Sequence, residues 1–527
     1  MKQILKSSLL PLLFAVYSLV FLYSENTGMI RSPSVLLRSF LLLPAGTLFV
    51  YFILFAIFKQ RASILTFIAL IWFLMYGHTI NILSDFGLVN AFSGVFRIVW
   101  SSVLLILFTA AAWKLKKIES ISRIIIFSVC VMIFISTCNV LWFFVVNAES
   151  GSISSSQECS GHPAIETAKP DIYYIILDGY GRCDVLESFY GIKNNSFTAF
   201  LKSRGFYIAQ HSTANYPQTL LSLASSLNME YINYLNEKGG YRCDYRPVFS
   251  LIQNNTVMSF LRNRGYKIVS FSTVYDPLVL NKADISYGNI HSLWLNQFES
   301  LFYQTTILPA IPYFRLLYSD YDFHRKRVLF PFEQLKHIPG IKGPTFTFAH
   351  ILAPHPPFIF NEDGSFSEKS KQKPLCISDG KSYLDYWEVD SREYRDRYRK
   401  QLLYLNSAAE DTINAILENS QTPPVIIVQG DHGPGSMYCS GDMKNTCLEE
   451  RFGILNAFLA PADYNHSNGP NCTYYDNVTP VNTFRILLNK YFETNYTIVR
   501  DRSFFPDSDN LYEFTDVTDN LRKEKVR

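Results

Sequence analysis

The 527-residue sequence contains no two cysteines at Cys-x-x-Cys spacing, which excludes zinc-ribbon and thioredoxin-type motifs. It has no basic run dense enough to hold nucleic acid. Its 48 Lys and Arg nearly balance 45 Asp and Glu, for a net charge of +3. The small excess is that of charges flanking membrane segments. No small-residue cleavage site follows the first apolar stretch. Lys2, Lys6 and the apolar core after them therefore read as a signal anchor rather than a removed signal peptide. No internal repeat is present. Long apolar runs are missing from residues 148–527, which have an ordinary globular mix, but they dominate residues 1–147.

Five apolar stretches, at about 8–23, 37–58, 63–80, 95–113 and 124–146, are each near the length that crosses a bilayer as a helix. The charges between them set an orientation. Lys2 and Lys6 precede the first span, Lys59 and Arg61 separate the second and third, and Lys114, Lys116, Lys117 and Arg123 separate the fourth and fifth. With five spans these clusters share one side, which the positive-inside rule makes cytoplasmic. Arg31 and Arg38 are the minority on the other side. The expected layout is a multi-pass membrane region over 1–147, a Ser- and Gly-rich linker over 148–169, and an extracytoplasmic domain over 170–527.

Cysteine usage agrees with an oxidising compartment. Cys130 and Cys138 fall in the fifth span, where they read as packing residues. Cys159, Cys183, Cys243, Cys376, Cys439, Cys447 and Cys472 lie in the outer domain, an odd number that leaves at least one unpaired. Cys439 and Cys447 flank a short polar loop and are the best candidates for a pair.

Along the outer domain, strands are expected at about 171–177, from Tyr266 through KIVSFS, and at 345–350, 425–429 and 455–459. Helices are expected near 184–190, 196–204, 219–227, 391–418 and 481–492. Strands alternating with helices imply an α/β domain whose mostly parallel sheet is sandwiched by helices. The stretch 275–340 is aromatic and Pro-rich with weak periodicity, and suits a cap or a surface facing the bilayer.

Four separated segments carry polar residues that suit one metal site. Asp178 follows Ile-Ile-Leu and precedes Gly179, an arrangement shared with ordinary Asp-Gly turns. Asp431 and His432 follow VIIVQG and precede Gly433. An adjacent Asp and His at a strand end can both turn toward one ion, and glycine lets the backbone approach. Thr219 opens the run LLSLASSL, as either an N-cap or a nucleophile. A bound cation would lower its pKa, and a helix start would stabilise the anion. His350 and His355 bracket ILAP ahead of two prolines. His355 suits contact with a phosphate oxygen or protonation of a leaving group. His350 suits a second ligand or a structural role. Parallel sheets hold ligands outside the carboxyl ends of their strands. Hard oxygen with imidazole nitrogen suits manganese or zinc and tolerates magnesium.

The order and types of these four segments resemble the alkaline phosphatase/sulfatase superfamily over roughly 170–495. With the membrane layout, the chain looks like the lipoteichoic acid synthases and phosphoethanolamine transferases. That resemblance implies an alkaline phosphatase/sulfatase-like fold. It points to Asp178, Asp431 and His432 as metal ligands, to Thr219 as the nucleophile at the start of the next core helix, and to His355 as a phosphate contact. The Cys-x-Pro-x-Arg signature of formylglycine sulfatases is replaced by Thr219-Leu-Leu-Ser-Leu, so sulfatase chemistry is not expected. One divalent ion is expected.

The resulting expectation is a membrane-bound phosphotransferase. It would move a phospholipid-derived headgroup phosphate to a glycan or lipid acceptor through a phospho-threonine, with Thr219 and His355 catalytic, Thr219 also touching the ion, and His355 and His350 binding substrate. A sulfatase-like hydrolase, most simply a phosphodiesterase, differs only in using water as acceptor. A non-catalytic membrane-anchored binding protein is the third reading. Nucleic acid is not an expected partner.

Overall fold

The computed structural model describes residues 2–27, 33–79, 94–114, 118–150, 169–193, 195–236, 244–271, 278–280, 282–288, 296–311, 320–367, 377–460 and 473–523. Most of the expected linker lies outside these residues, as do Cys159, Cys243, Cys376 and Cys472. The chain divides into two units, Met1–Ile153 with Ile290–Ser319, and Ser154–Asn289 with Asp320–Arg527.

The first unit is helical: Lys2–Asn26, Leu37–Phe58, Ala62–Leu74, Gly94–Lys114 and Ile118–Ser150. Among the described residues, three segments are long and apolar enough to cross a membrane: Ser8–Asn26, Pro33–Leu74 and Ser120–Val145. The 42-residue middle segment contains two helices joined by the turn Lys59–Arg61. In the expected third span, 63–80, the helix Ala62–Leu74 ends at a bend at Met75, and residues 76–79 are helical again. The expected fourth span coincides with Gly94–Lys114, which is not among the three segments. Leu10, Ala15 and Leu19 are fully buried between helices. Large side chains such as Leu41, Phe49, Phe127 and Trp142 are exposed. That inversion is the pattern of helices solvated by lipid.

Part of the 275–340 stretch belongs to this helical unit. The helix Gln297–Thr305 starts with a capping box, in which Asn296 and Glu299 satisfy each other's backbone N–H. Phe298 is buried with Leu19, Leu22 and Tyr23. Arg38 pairs with Glu299 through two hydrogen bonds, one of them from Nε to Oε1 at 2.7 Å. The Ile307 N–H donates to the Phe73 carbonyl.

The second unit is built on seven strands: β1 (Ile172–Leu177), β2 (Tyr207–Ile208), β3 (Lys267–Phe271), β4 (Ile285–Tyr287), β5 (Thr345–Ile351), β6 (Val425–Gln429) and β7 (Asn456–Leu459). Their order in the sheet is β2-β7-β6-β1-β5-β3-β4. β6, β1, β5, β3 and β4 pair in parallel, while β7 is antiparallel to both of its neighbours. Central β1 is buried on both faces, so it reads as a continuous apolar run without alternation.

The two faces have different cores. Ile172, Tyr174 and Ile176 pack beneath helices Thr219–Asn228, Arg246–Gln253, Thr256–Asn263 and Pro480–Phe492. Tyr173, Ile175 and Leu177 pack beneath Cys183–Tyr190, Ser196–Ser203, Asp320–Leu335 and Ser391–Asn419. The nucleophile candidate thus starts a helix on the first face. A buried network fixes that helix to the sheet. The Tyr174 hydroxyl lies 3.2 Å from Ser226 Oγ and donates to Gln429 Oε1 at 2.7 Å. Gln429 Nε2 in turn donates to Asn456 and Thr483. Satisfied networks of this kind specify one arrangement of a core.

Candidate active site

β1 and β6 pair in register with Ile176 beside Gln429. Two residues further on, the same register brings Asp178 beside Asp431. Both side chains emerge just past the carboxyl ends of neighbouring parallel strands, where the sheet stops and backbone no longer fills the space. Gly179 follows with φ of +74°, a conformation that suits glycine, and its N–H donates to Asp431 Oδ1 at 3.1 Å. Gly433 is required by packing, because a Cβ there would run into the Glu450 carbonyl oxygen.

Asp178, Asp431 and His432 are all buried, and each offers a ligand atom within 4.8 Å of the others. It is the one such group among the described residues. Nε2 of His432 lies 3.4 Å from Asp178 Oδ1 and 3.6 Å from Asp431 Oδ2. Those two carboxylate oxygens are buried without a hydrogen-bond partner. Two adjacent buried carboxylates with unsatisfied oxygens are costly unless a cation neutralises them. His432 Nδ1 sits 2.9 Å from the Gly433 carbonyl, which fixes the proton on Nδ1 and leaves the Nε2 lone pair for an ion. Burial, and then the charge of Arg451, push the His432 pKa down, so the imidazole is neutral. The donor set fits one divalent cation, with two hard oxygens and one imidazole nitrogen.

Thr219 joins this set. Its Oγ1 lies 3.2 Å from His432 Nε2. It begins the helix Thr219–Asn228, and no side chain caps that helix, since Gln218 at the cap position makes no cap hydrogen bond. The first turn's N–H groups and the helix dipole therefore add positive potential at the hydroxyl, a setting suited to an anionic ligand. Thr219, Gln218 and His355 are only partly buried, so the site opens to solvent on this side.

The two histidines separate. His350 Nε2 approaches Asp178 Oδ2 at 3.2 Å without hydrogen-bond alignment, and its side chain is fully buried. It stands behind the Asp178 carboxylate with no exposed side-chain surface. His355 stands at the opening. Its N–H donates to the Asp178 carbonyl, and its Nδ1 is 2.5 Å from the Pro356 carbonyl, leaving Nε2 to face the site. Burial opposes its charged form, but the carboxylates of Asp178 and Asp379 outweigh burial and raise its pKa. Asp178 is held below the ordinary carboxylate range. Burial alone would raise it, and the interactions with His355 first, then His350 and His432, outweigh burial.

Three further side chains complete the site. Asp379 Oδ2 lies 3.9 Å from His355 Nε2 and 2.5 Å from Arg451 Nη1, and Oδ1 accepts from the Tyr394 hydroxyl at 2.6 Å. Burial opposes the charge of Asp379, yet Arg451 and the two histidines pull its pKa down to about 2. Asp379 caps the helix Gly380–Trp387, and Arg451 lies in the five-residue helix Leu448–Phe452. A helix cap and a charge-rich turn are common surface features, so neither signals a site from sequence. Cys439 carries a free thiol, so the anticipated Cys439–Cys447 pair is not present.

No family model matches the chain, and no curated protein matches it in sequence. Several solved structures are similar to it. The Zn complex of the periplasmic domain of EptC from Escherichia coli has 10% identity over 69% of this chain and 96% of that one, with a TM-score of 0.43. The integral membrane lipooligosaccharide phosphoethanolamine transferase A (EptA) from Neisseria meningitidis has 11% identity over 85% and 88%, with a TM-score of 0.37. The phosphonate monoester hydrolase of Agrobacterium radiobacter has 12% identity over 64% and 80%, with a TM-score of 0.37.

Proposed function

We propose that the protein is a metal-dependent phosphotransferase of the outer membrane face, with five spans and an extracytoplasmic catalytic domain. It would transfer a phospholipid headgroup phosphate to a glycan or lipid hydroxyl. One observation carries the reading. The hydroxyl of Thr219 lies 3.2 Å from the His432 nitrogen of a buried Asp178–Asp431–His432 set in which two carboxylate oxygens, Asp178 Oδ1 and Asp431 Oδ2, lack hydrogen-bond partners.

In this reading Asp178, Asp431, His432 and Thr219 hold a divalent ion. When bound, the ion lowers the pKa of the Thr219 hydroxyl and offsets charge on the phosphate oxygens. Thr219, its hydroxyl proton released to solvent beforehand, attacks phosphorus through Oγ1 as the alkoxide, forming a Thr–O–P bond as the bond from phosphorus to the diacylglycerol oxygen breaks; the second half returns the same alkoxide. The departing oxygen takes the proton from Nε2 of His355, whose pKa is raised by Asp178 and Asp379. In the second half, His355 removes the proton of the acceptor hydroxyl, whose oxygen displaces Thr219 from phosphorus. The helix N-terminus at Thr219 favours the anion in both halves. Membrane helices in the same chain suit a lipid donor.

The test is the intact mass of the purified full chain after incubation with mixed phospholipids and manganese, beside Thr219→Ala. The expected result is a headgroup-phosphate adduct on the native chain alone, whose mass also identifies the headgroup. Headgroup release by the native chain with no acceptor present would assign hydrolysis instead. Equal behaviour of the two proteins would remove Thr219 as nucleophile.

A further inference from the structure

Arg451 is buried, with 3% of its surface exposed, and lies 3.9 Å over the Tyr438 ring. Its Nε donates to the Pro217 carbonyl at 2.8 Å, and its Nη1 donates to the Gly433 carbonyl at 3.1 Å. Pro217 is two residues before Thr219, and Gly433 directly follows His432. The same Gly433 carbonyl takes the Nδ1 proton of His432. A single guanidinium therefore fastens the backbone that presents the nucleophile to the backbone that presents the imidazole. Asp379 holds the guanidinium from another side, and is itself held by the Tyr394 hydroxyl and the Gly380 N–H.

We propose that Arg451 is a positioning residue that sets the separation of Thr219 Oγ and His432 Nε2. This rests on the reading that these two residues, with Asp178 and Asp431, hold one divalent ion.

The physical argument is geometric. Thr219 opens a helix on one face of the sheet, whereas His432 lies in the turn after β6. The two segments are far apart in the chain, and their alignment depends on lateral contacts. Arginine presents its donors in a rigid planar fork, so two carbonyls bound to one guanidinium are fixed relative to each other. Lysine at the same place would keep the charge facing Asp379, but its single rotatable ammonium could not hold both carbonyls at those positions. An ion tolerates little error in its ligands, and partners one step behind a metal ligand typically govern affinity or activity by about 10–100-fold.

The experiment titrates manganese or zinc into the full metal-free chain in detergent, comparing the native protein with Arg451→Lys and Asp178→Asn. Melting temperatures of the metal-free forms are recorded alongside. The expected result is one ion bound by the native chain, none by Asp178→Asn, and about 10–100-fold weaker binding by Arg451→Lys. The metal-free melting temperature of Arg451→Lys should stay close to native, whereas a merely structural role would lower it and leave affinity unchanged. Native affinity in Arg451→Lys, with Asp178→Asn still inactive in binding, would overturn the proposal and leave the metal site standing. No binding by the native chain would overturn both. Should the lysine variant not fold, the neutral pair Arg451→Gln with Asp379→Asn leaves no uncompensated buried charge, and the same outcomes decide.

Discussion

Nε2 of His350 lies 3.2 Å from Oδ2 of Asp178, while Oδ1 of the same carboxylate faces Nε2 of His432 at 3.4 Å. The carboxylate is thus divided between the two histidines, one on each oxygen. Replacing His350 with Ala frees Asp178 to rotate and opens a buried gap behind it. Metal affinity should fall by about 10–100-fold while Thr219 stays intact. Calorimetric titration with manganese or zinc checks this, and an unchanged affinity would exclude His350 from the site.

If the Asp178–Asp431–His432 set holds an ion, removing it should destabilise the α/β unit. A ligand that binds only the folded state adds about 2.7 kcal/mol at one hundred times its dissociation constant. The chelated protein should therefore melt at a lower temperature than the metal-loaded one, and adding back manganese or zinc should restore it. Asp431→Asn should abolish the difference between the two melts. A chelator-insensitive native protein would argue against any resident ion.

Thr219→Ala should lower turnover by on the order of 10⁴-fold or more, as loss of a nucleophile does. Thr219→Ser keeps the hydroxyl at the helix start and should still form the phosphate adduct, more slowly. Single-turnover kinetics followed by intact mass separate the two variants. Equal loss in both would mean that the threonine methyl, rather than the hydroxyl, is what the site needs.

Glu299 tests the other unit. Its side chain is 5% exposed against 38% for Arg38, so the pair is partly screened. Breaking a buried pair costs about 3–5 kcal/mol, and exposure of one partner reduces this to roughly 1–3 kcal/mol. Glu299→Gln should lower the melting temperature of the full chain in detergent. The double variant with Arg38→Gln should cost less than the two single changes added together, by about 0.5–3 kcal/mol. Strict additivity would show the pair to be energetically idle.

The sequence made some of this legible and hid the rest for identifiable reasons. β1, β5 and β6 are apolar runs ending in Asp178, the His350 segment and Asp431, so strand and site announce themselves together. Thr219 is visible as a polar residue opening a helical apolar run. The antiparallel direction of β7 was hidden because residue periodicity carries no strand direction. His350 lies within β5 with its side chain fully buried, while His355 lies beyond the strand at the opening, a difference in burial that the shared segment does not carry. Asp379 and Arg451 were not recognised because their importance comes from the company they keep across the chain, 72 residues apart. The helix Gln297–Thr305 was hidden because its partners, Leu19, Tyr23 and Arg38, come from the far N-terminal side.

That last helix changes what the α/β unit can be on its own. The chain enters the α/β unit after Ile153, leaves it for Ile290–Ser319, and comes back at Asp320. A fragment beginning beyond residue 153 would carry Phe298 and Phe302 without the Leu19, Tyr23 and Phe73 side chains that cover them. Such a fragment would present a sticky apolar strip and self-associate. A protease cut between residues 153 and 170 would likewise leave the two pieces co-migrating in mild detergent, because the Gln297–Thr305 helix remains moored among the N-terminal helices.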